Sequence, residues 1–314
     1  MKKRYHFYIV LGVLLVGFIL GSFFDLQINQ ALFLENNAFG IGMAAFGVYP
    51  CYIGLSFSGG ILFLVAFKNK EMPIWGKIIC YFLSVFAVFM AVWLTGKEFA
   101  SPNGFNNEKI KIYGYLIAAA VMIPVAIGSF FLCRKGDLKM LFRMAVLMVI
   151  IFTCGLLPPG FLIKLVIHRP RYRYMVRNSI GGCGFYNWWQ SCSNYKDYIG
   201  LVDASGFEIT KEEFKSFPSG HSGTGAIMMM FLPYFAMAFK KLRGKETLLF
   251  YIGFMWMLVM MFSRLTVGAH FLTDTCAGAL FTTIVYFVVN EFAIRKKLFD
   301  EPVAPEIPAE PQEA

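Results

Sequence analysis

Apolar residues in this chain come in long, nearly unbroken runs. Phe7–Phe24, Ile41–Phe67, Ile74–Leu94, Tyr113–Cys133, Arg143–Ile167, His221–Phe239, Leu248–Phe262 and Phe271–Val289 stand out. Each approaches or exceeds the ~20 residues that carry a helix across a bilayer. The pattern predicts an all-α polytopic membrane bundle of about eight transmembrane helices. Pro158 and Pro159 fall inside the fifth run and predict a kink or break, because proline removes a helix hydrogen bond. The first run follows Lys2, Lys3 and Arg4, a layout shared with signal peptides. No small-residue cleavage site follows it, so it is read as a retained first helix.

The polar segments between the runs give an orientation. Basic residues cluster in the short segments 2–4, 68–77, 134–143, 240–245 and 295–297. With a cytoplasmic N-terminus and alternating helices, all of these face the cytoplasm, as the positive-inside rule requires. Both termini are then cytoplasmic, in a plasma-membrane protein. The long loop 168–217 is extracytoplasmic. Three regions follow. Residues 1–140 hold helices without a chemical motif. Residues 141–297 hold the motifs and the long loop. Residues 298–314 form an acidic, proline-rich tail that predicts disorder.

Composition agrees with a membrane chain. Of the 314 residues, 58% are hydrophobic and 15% charged, against about 25% charged in soluble domains. Mean hydropathy is +0.60. Topology accounts for the net charge of +10, so nucleic acid is not an expected partner. Cys51, Cys80, Cys133, Cys154 and Cys276 lie in apolar runs and read as small buried hydrophobes. Cys183 and Cys192 share the outer loop, where a disulfide is compatible with the compartment. No zinc-type spacing is present, and neither a metal nor a cofactor is expected.

Three polar clusters break the apolar text. The junction Ser263–Asp274 carries Arg264, His270 and Asp274 at the membrane edge, where ionisable groups are costly and mark function. A helix would put His270 and Asp274 on one face, the carboxylate taking a proton from the imidazole. The outer loop opens with Lys164, Arg169, Arg171 and Arg173, whose forks and charge suit phosphate oxygens. It ends in Pro218-Ser219-Gly220-His221 at a helix start, where backbone N–H groups bind anions. Each cluster also has a plain reading: an interfacial helix pair, a basic face on lipid headgroups, a capped helix. Trp188 and Trp189 read as interface anchors.

Together the clusters resemble the type 2 phosphatidic acid phosphatase family. Its pattern is Lys, six residues and Arg-Pro; then Pro-Ser-Gly-His; then Ser-Arg, five residues, His, three residues, Asp. Lys164 to Arg171 match the first part, with Tyr172 in place of the final proline. Pro218–His221 and Ser263–Asp274 match the other two fully. The resemblance covers Lys164 to about Val289, and the five preceding helices exceed the usual three. It implies that His270 is a nucleophile forming a phosphohistidine and that Asp274 orients it. It makes His221 the acid and then the base. Lys164, Arg171, Ser219, Gly220 and Arg264 would hold the phosphoryl oxygens. Tyr172 leaves open which of Arg169, Arg171 and Arg173 makes the main contact, and Arg169 and His168 stand as further candidates.

The expected function is a metal-independent membrane phosphatase for a lipid phosphate or diphosphate, of the undecaprenyl diphosphate, phosphatidylglycerol phosphate or phosphatidic acid type. The alternatives are a soluble sugar-phosphate phosphatase, a phosphotransferase, or a non-catalytic lipid transporter with the same pocket. A haloperoxidase shares the pocket, but eight spans argue against that soluble class.

Overall fold

The computed structural model describes residues 5–158, 162–177 and 183–298. Its long helices are α1 (Tyr5–Leu32), α2 (Ala38–Phe46), α3 (Tyr49–Lys68), α4 (Ile74–Ala100), α5 (Lys111–Cys133) and α6 (Leu138–Pro158). Two short helices, α7 (Lys164–Val166) and α8 (Tyr172–Arg177), open the long loop before α9. The bundle closes with α9 (Gly220–Ala238), α10 (Glu246–Thr266) and α11 (Leu272–Arg295). Among the described residues, seven helical stretches are long and apolar enough to cross a membrane, with α2 and α3 counted together. The run expected as the sixth of eight spans forms α9, a 19-residue helix that is not among those seven.

Helix α9 sits at the centre. It packs against α10, α11, α6 and α3, and residues 221–231 are all buried. Its apolar stretch from Ala226 to Leu232 suits such a place. Helices α1 and α11 pack together, as do α3, α4 and α5. The outward faces of α1, α4 and α5 carry exposed large hydrophobics such as Phe23, Phe82 and Leu132, the surface a bilayer covers.

The structure departs from the sequence pattern in definite places. The second run is two helices, because Gly47 closes α2 and Pro50 begins the next turn. In the fifth run α6 is described as far as Pro158, and Lys164 lies in α7, beyond the undescribed residues 159–161. Pro159 and the tail 299–314 lie outside the described residues. Cys154 is exposed, in contrast to the four buried apolar cysteines, because α6 turns one face outward. Trp188 is more than an interface anchor. Its indole N–H donates to Ser22 Oγ at 3.1 Å and its ring meets Phe18 of α1. Trp189 stays exposed.

The long loop before α9 has a small core of its own. Tyr174, Cys183, Cys192, Ile209 and Phe214 pack together, and Cys183 is bonded to Cys192. His168 stacks on Tyr195 at 3.9 Å within this loop.

Close packing at α11 fixes the start of α9. The backbone N–H of Ser219 donates to Asp274 O at 2.9 Å. A Cβ on Gly278 would lie 2.1 Å from Ser219 O, whereas one on Gly128 of α5 would meet nothing within 4 Å. Overpacking a core costs about 1–3 kcal/mol, and here the neighbour is backbone that cannot swing aside. Gly278→Ala therefore lowers the thermal midpoint of the detergent-solubilised protein by several degrees. Gly128→Ala leaves it unchanged or slightly raised. Equal midpoints for the two variants would refute the packing.

Candidate active site

His270 lies in a bend between α10 and α11 rather than on the helix the spacing suggested. Gly268 makes the turn possible. Its φ of +61° is a left-handed conformation, and a Cβ would strike Arg173 N at 2.9 Å. Ala269 N then donates to Arg264 O at 3.1 Å, closing the turn.

The neighbours of His270 settle its tautomer. Nδ1 lies 2.6 Å from Ser216 O, a carbonyl that can only accept. Nε2 lies 3.2 Å from Arg171 Nη1, a guanidinium that can only donate. Nδ1 therefore carries the proton and Nε2 the lone pair. Burial, reinforced by the charges of Arg171 and Lys164, holds the imidazole well below its ordinary pKa. The ring is neutral at neutral pH, the state a nucleophile needs.

Asp274 does not bond His270 directly. Its Oδ2 is 3.9 Å from Nδ1, and Ser216 O occupies the place expected for the carboxylate. Asp274 instead accepts from Ser216 Oγ in a short bond and from Phe271 N at 2.8 Å. It thereby holds the residue whose carbonyl holds the histidine. Its other oxygen accepts from Arg169 Nη1 at 2.5 Å.

The three loop arginines separate by partner. Arg169 is fully buried and bridges Asp274 to Asp25 of α1, with Asp25 Oδ2 at 2.9 Å. It also donates to Thr273 Oγ1 and Tyr186 O, both at 2.8 Å, and lies 4.1 Å from the Phe271 ring. Arg173 is paired with Glu213 at 2.6 Å. Arg171 alone of the three touches His270, anchored by Glu212 O at 2.7 Å and Ala269 O at 2.6 Å.

Further donors converge nearby. Arg264, at the end of α10, is fully buried. Its Nη2 is held by Gly40 O of α2, and its Nε donates to Ser263 Oγ at 3.1 Å. Its Nη1 has no acceptor among the described residues. A buried donor left unpaired is costly unless a ligand completes it. Ser219 caps α9, its Oγ accepting from Ser222 N at 3.3 Å. Gly220 begins the helix, exposed, where first-turn N–H groups lack intrahelical acceptors. His221 Nε2 lies 3.4 Å from Ala44 O and 3.6 Å from Glu98 Oε2. Lys164 feels Arg171, Glu212 and Glu98, and desolvation, with Arg171 next, pulls its ammonium down to about 8. His168 contributes nothing here, being stacked on Tyr195 in the long loop.

The N-terminal helices supply what the motifs do not contain. Asp25 and Asn29 come from α1, Gly40 O and Ala44 O from α2, and Glu98 from α4. Asn29 Nδ2 donates to His270 O at 3.1 Å. Asp25 and Glu98 could have been found by the signal that marked Arg264, an ionisable residue in or beside a membrane span. Ser216 and the two carbonyls carry no sequence signal.

The site is a cationic pocket around a neutral imidazole, and it predicts a pH-dependent anion site. Lys164 is charged below about pH 8 and neutral above it. Binding of orthovanadate, followed by intrinsic fluorescence, should weaken about tenfold by pH 9 if that charge is lost. Lys164→Arg should remove the fall, since its cation persists. An unchanged alkaline fall in the variant would exclude Lys164 as its origin.

Residues 138–297 match the PAP2 superfamily. A stretch of 106 residues is 31% identical to phosphatidylglycerophosphatase B of Bacillus subtilis (strain 168), covering 33% of this chain and 52% of that protein. The chain thus spans about half the length of that curated relative. No solved structure shows significant similarity. The superfamily match takes in half of the chain, and with it the turn that carries His270. The chain belongs to the PAP2 superfamily, as an integral membrane member of it.

Proposed function

We propose that the protein is a membrane phosphatase that cleaves a lipid phosphate or diphosphate at the extracytoplasmic face. The observation that carries this reading is the tautomer lock on His270. Ser216 O and Arg171 put the proton on Nδ1 and the lone pair on Nε2, among cations. A phosphoryl group drawn in by Lys164, Arg171 and Arg264 would present its phosphorus to that nitrogen.

Nε2 attacks phosphorus while His221 gives its proton to the leaving oxygen, forming a phosphohistidine and releasing the lipid alcohol or monophosphate. The positive charge that develops on the ring is shared through Nδ1–H with Ser216 O, and Asp274 stabilises it across 3.9 Å. Neutral His221 then takes a proton from water, which attacks phosphorus and frees His270. Arg171, Arg264, Lys164 and the start of α9 hold the phosphoryl oxygens. This positive field does the work a metal does elsewhere, so a metal is not required.

Three features favour a lipid. The site sits where α9, α10 and α11 meet the outer loop. The surrounding helices expose apolar faces. The similar protein from Bacillus subtilis is named for a lipid phosphate. Undecaprenyl diphosphate, phosphatidylglycerol phosphate and phosphatidic acid are the leading substrates. The basic short loops favour cytoplasmic termini and a plasma-membrane location.

Purified protein in nanodiscs should release phosphate from one or more of these lipids at rates at least tenfold above those for soluble sugar phosphates, and should do so in excess chelator. His270→Ala should lose more than about 10³-fold in kcat, the scale of losing a nucleophile, while still inserting and folding. A preference for the sugar phosphates, or wild-type rates in the variant, would overturn the reading. Loss with chelator and recovery with magnesium would overturn its metal independence.

A further inference from the structure

Glu98 lies near the end of α4, well outside residues 138–297 that carry the family match. Its carboxylate faces His221 Nε2 at 3.6 Å, with side-chain exposures of 25% and 8%. Ser101 Oγ donates to Glu98 Oε2 at 3.3 Å and steadies it. Lys97 and Lys164 attract the carboxylate, and Glu212 repels it. A carboxylate beside an anion-binding pocket works against phosphate affinity, so its placement calls for a compensating use.

That use is the charge of His221. An acid that protonates a leaving oxygen must itself begin protonated. Burial works against a charged His221, and so do cations from three other elements: Arg264 at the end of α10, Lys164 of α7 and Arg171 ahead of α8. Ala44 O of α2 can accept one hydrogen bond from the ring but carries no charge. Within salt-bridge distance of the ring, among the described residues, Glu98 is the carboxylate. A buried imidazolium among cations persists only beside an anion.

Resting on the phosphatase reading above, we infer that Glu98 is a positioning residue that keeps His221 oriented and protonated for the leaving-group step. The N-terminal helices thereby take part in the reaction. When His221 gives up its proton to the leaving oxygen, Glu98 keeps its charge and draws the next proton back onto the ring from the attacking water. No group beyond substrate and water is consumed.

Leaving-group dependence tests this, because an acid matters for a poor leaving group and little for a good one. The full-length protein in detergent is assayed for kcat/KM, which reports the steps through phosphoryl transfer to His270. The substrates are phosphatidic acid, with an alkoxide leaving group, and p-nitrophenyl phosphate, with a stable phenolate. Glu98→Gln should lower kcat/KM on phosphatidic acid by about 10- to 100-fold, within the range general acids supply. It should cost less than about threefold on the aryl phosphate, and Glu98→Asp should recover part of the loss. Equal losses on both substrates would mean that Glu98 acts through Lys164 or through folding, and would overturn the inference. So would wild-type rates on phosphatidic acid. His270→Ala stays inert in either event, so failure here is distinguishable from failure of the phosphatase reading.

Discussion

Arg169 joins Asp25 of α1 to Asp274 of α11, and the end of the bundle that holds the site is arranged around that bridge. All three side chains are buried. Burying such charges is costly, and removing one partner of a buried pair costs about 3–5 kcal/mol. The guanidinium meets the cost through Thr273, Tyr186 O and the Phe271 ring. With Arg169 in place, Asp274 is free to hold Ser216 and to cap α11. Ser216 then holds Nδ1 of His270. His270 is positioned by a chain of four links, each fixed by the one before it.

The bridge also explains why the first helix belongs to the site. Asp25 accepts from Thr273 at both its backbone N–H and its hydroxyl, and Asn29 reaches His270 O. Helix α2 adds carbonyls at the level of Arg264 and His221. Ala44 lies in the last turn of α2, where carbonyls lack helical partners. The break at Gly47 is what makes that carbonyl available. Half of the chain lies outside the family match, yet it contributes charge and hydrogen bonds to the pocket.

Much of this was legible in the sequence. Apolar runs of bilayer length gave the helices, since nothing else satisfies the backbone in lipid. Costly ionisable residues at span edges gave Arg264, His270 and Asp274. Other features were not legible, for physical reasons. Adjacent arginines look alike until their partners are seen, so Arg169, Arg171 and Arg173 could not be told apart. A four-residue spacing suggests a helix face, but Gly268 and the extended Phe271 put His270 off the helix, and a backbone carbonyl took the role expected of Asp274. Carbonyl acceptors in a site, such as Ser216 O and Gly40 O, leave no mark on residue identity. Asp25 and Glu98 were visible as costly charges but lay far from any motif.

The central claim is that Nε2 of His270 carries the phosphoryl group. Rapid acid-free quenching during turnover of a ³²P-labelled lipid phosphate, followed by peptide mapping, tests it most directly. The account predicts a label on the peptide containing His270, stable to alkali and lost in acid, as a phosphoramidate is. It also predicts that the label is absent from His270→Ala. A label on another residue, or an active enzyme in which no labelled peptide forms at any quench time, would contradict it.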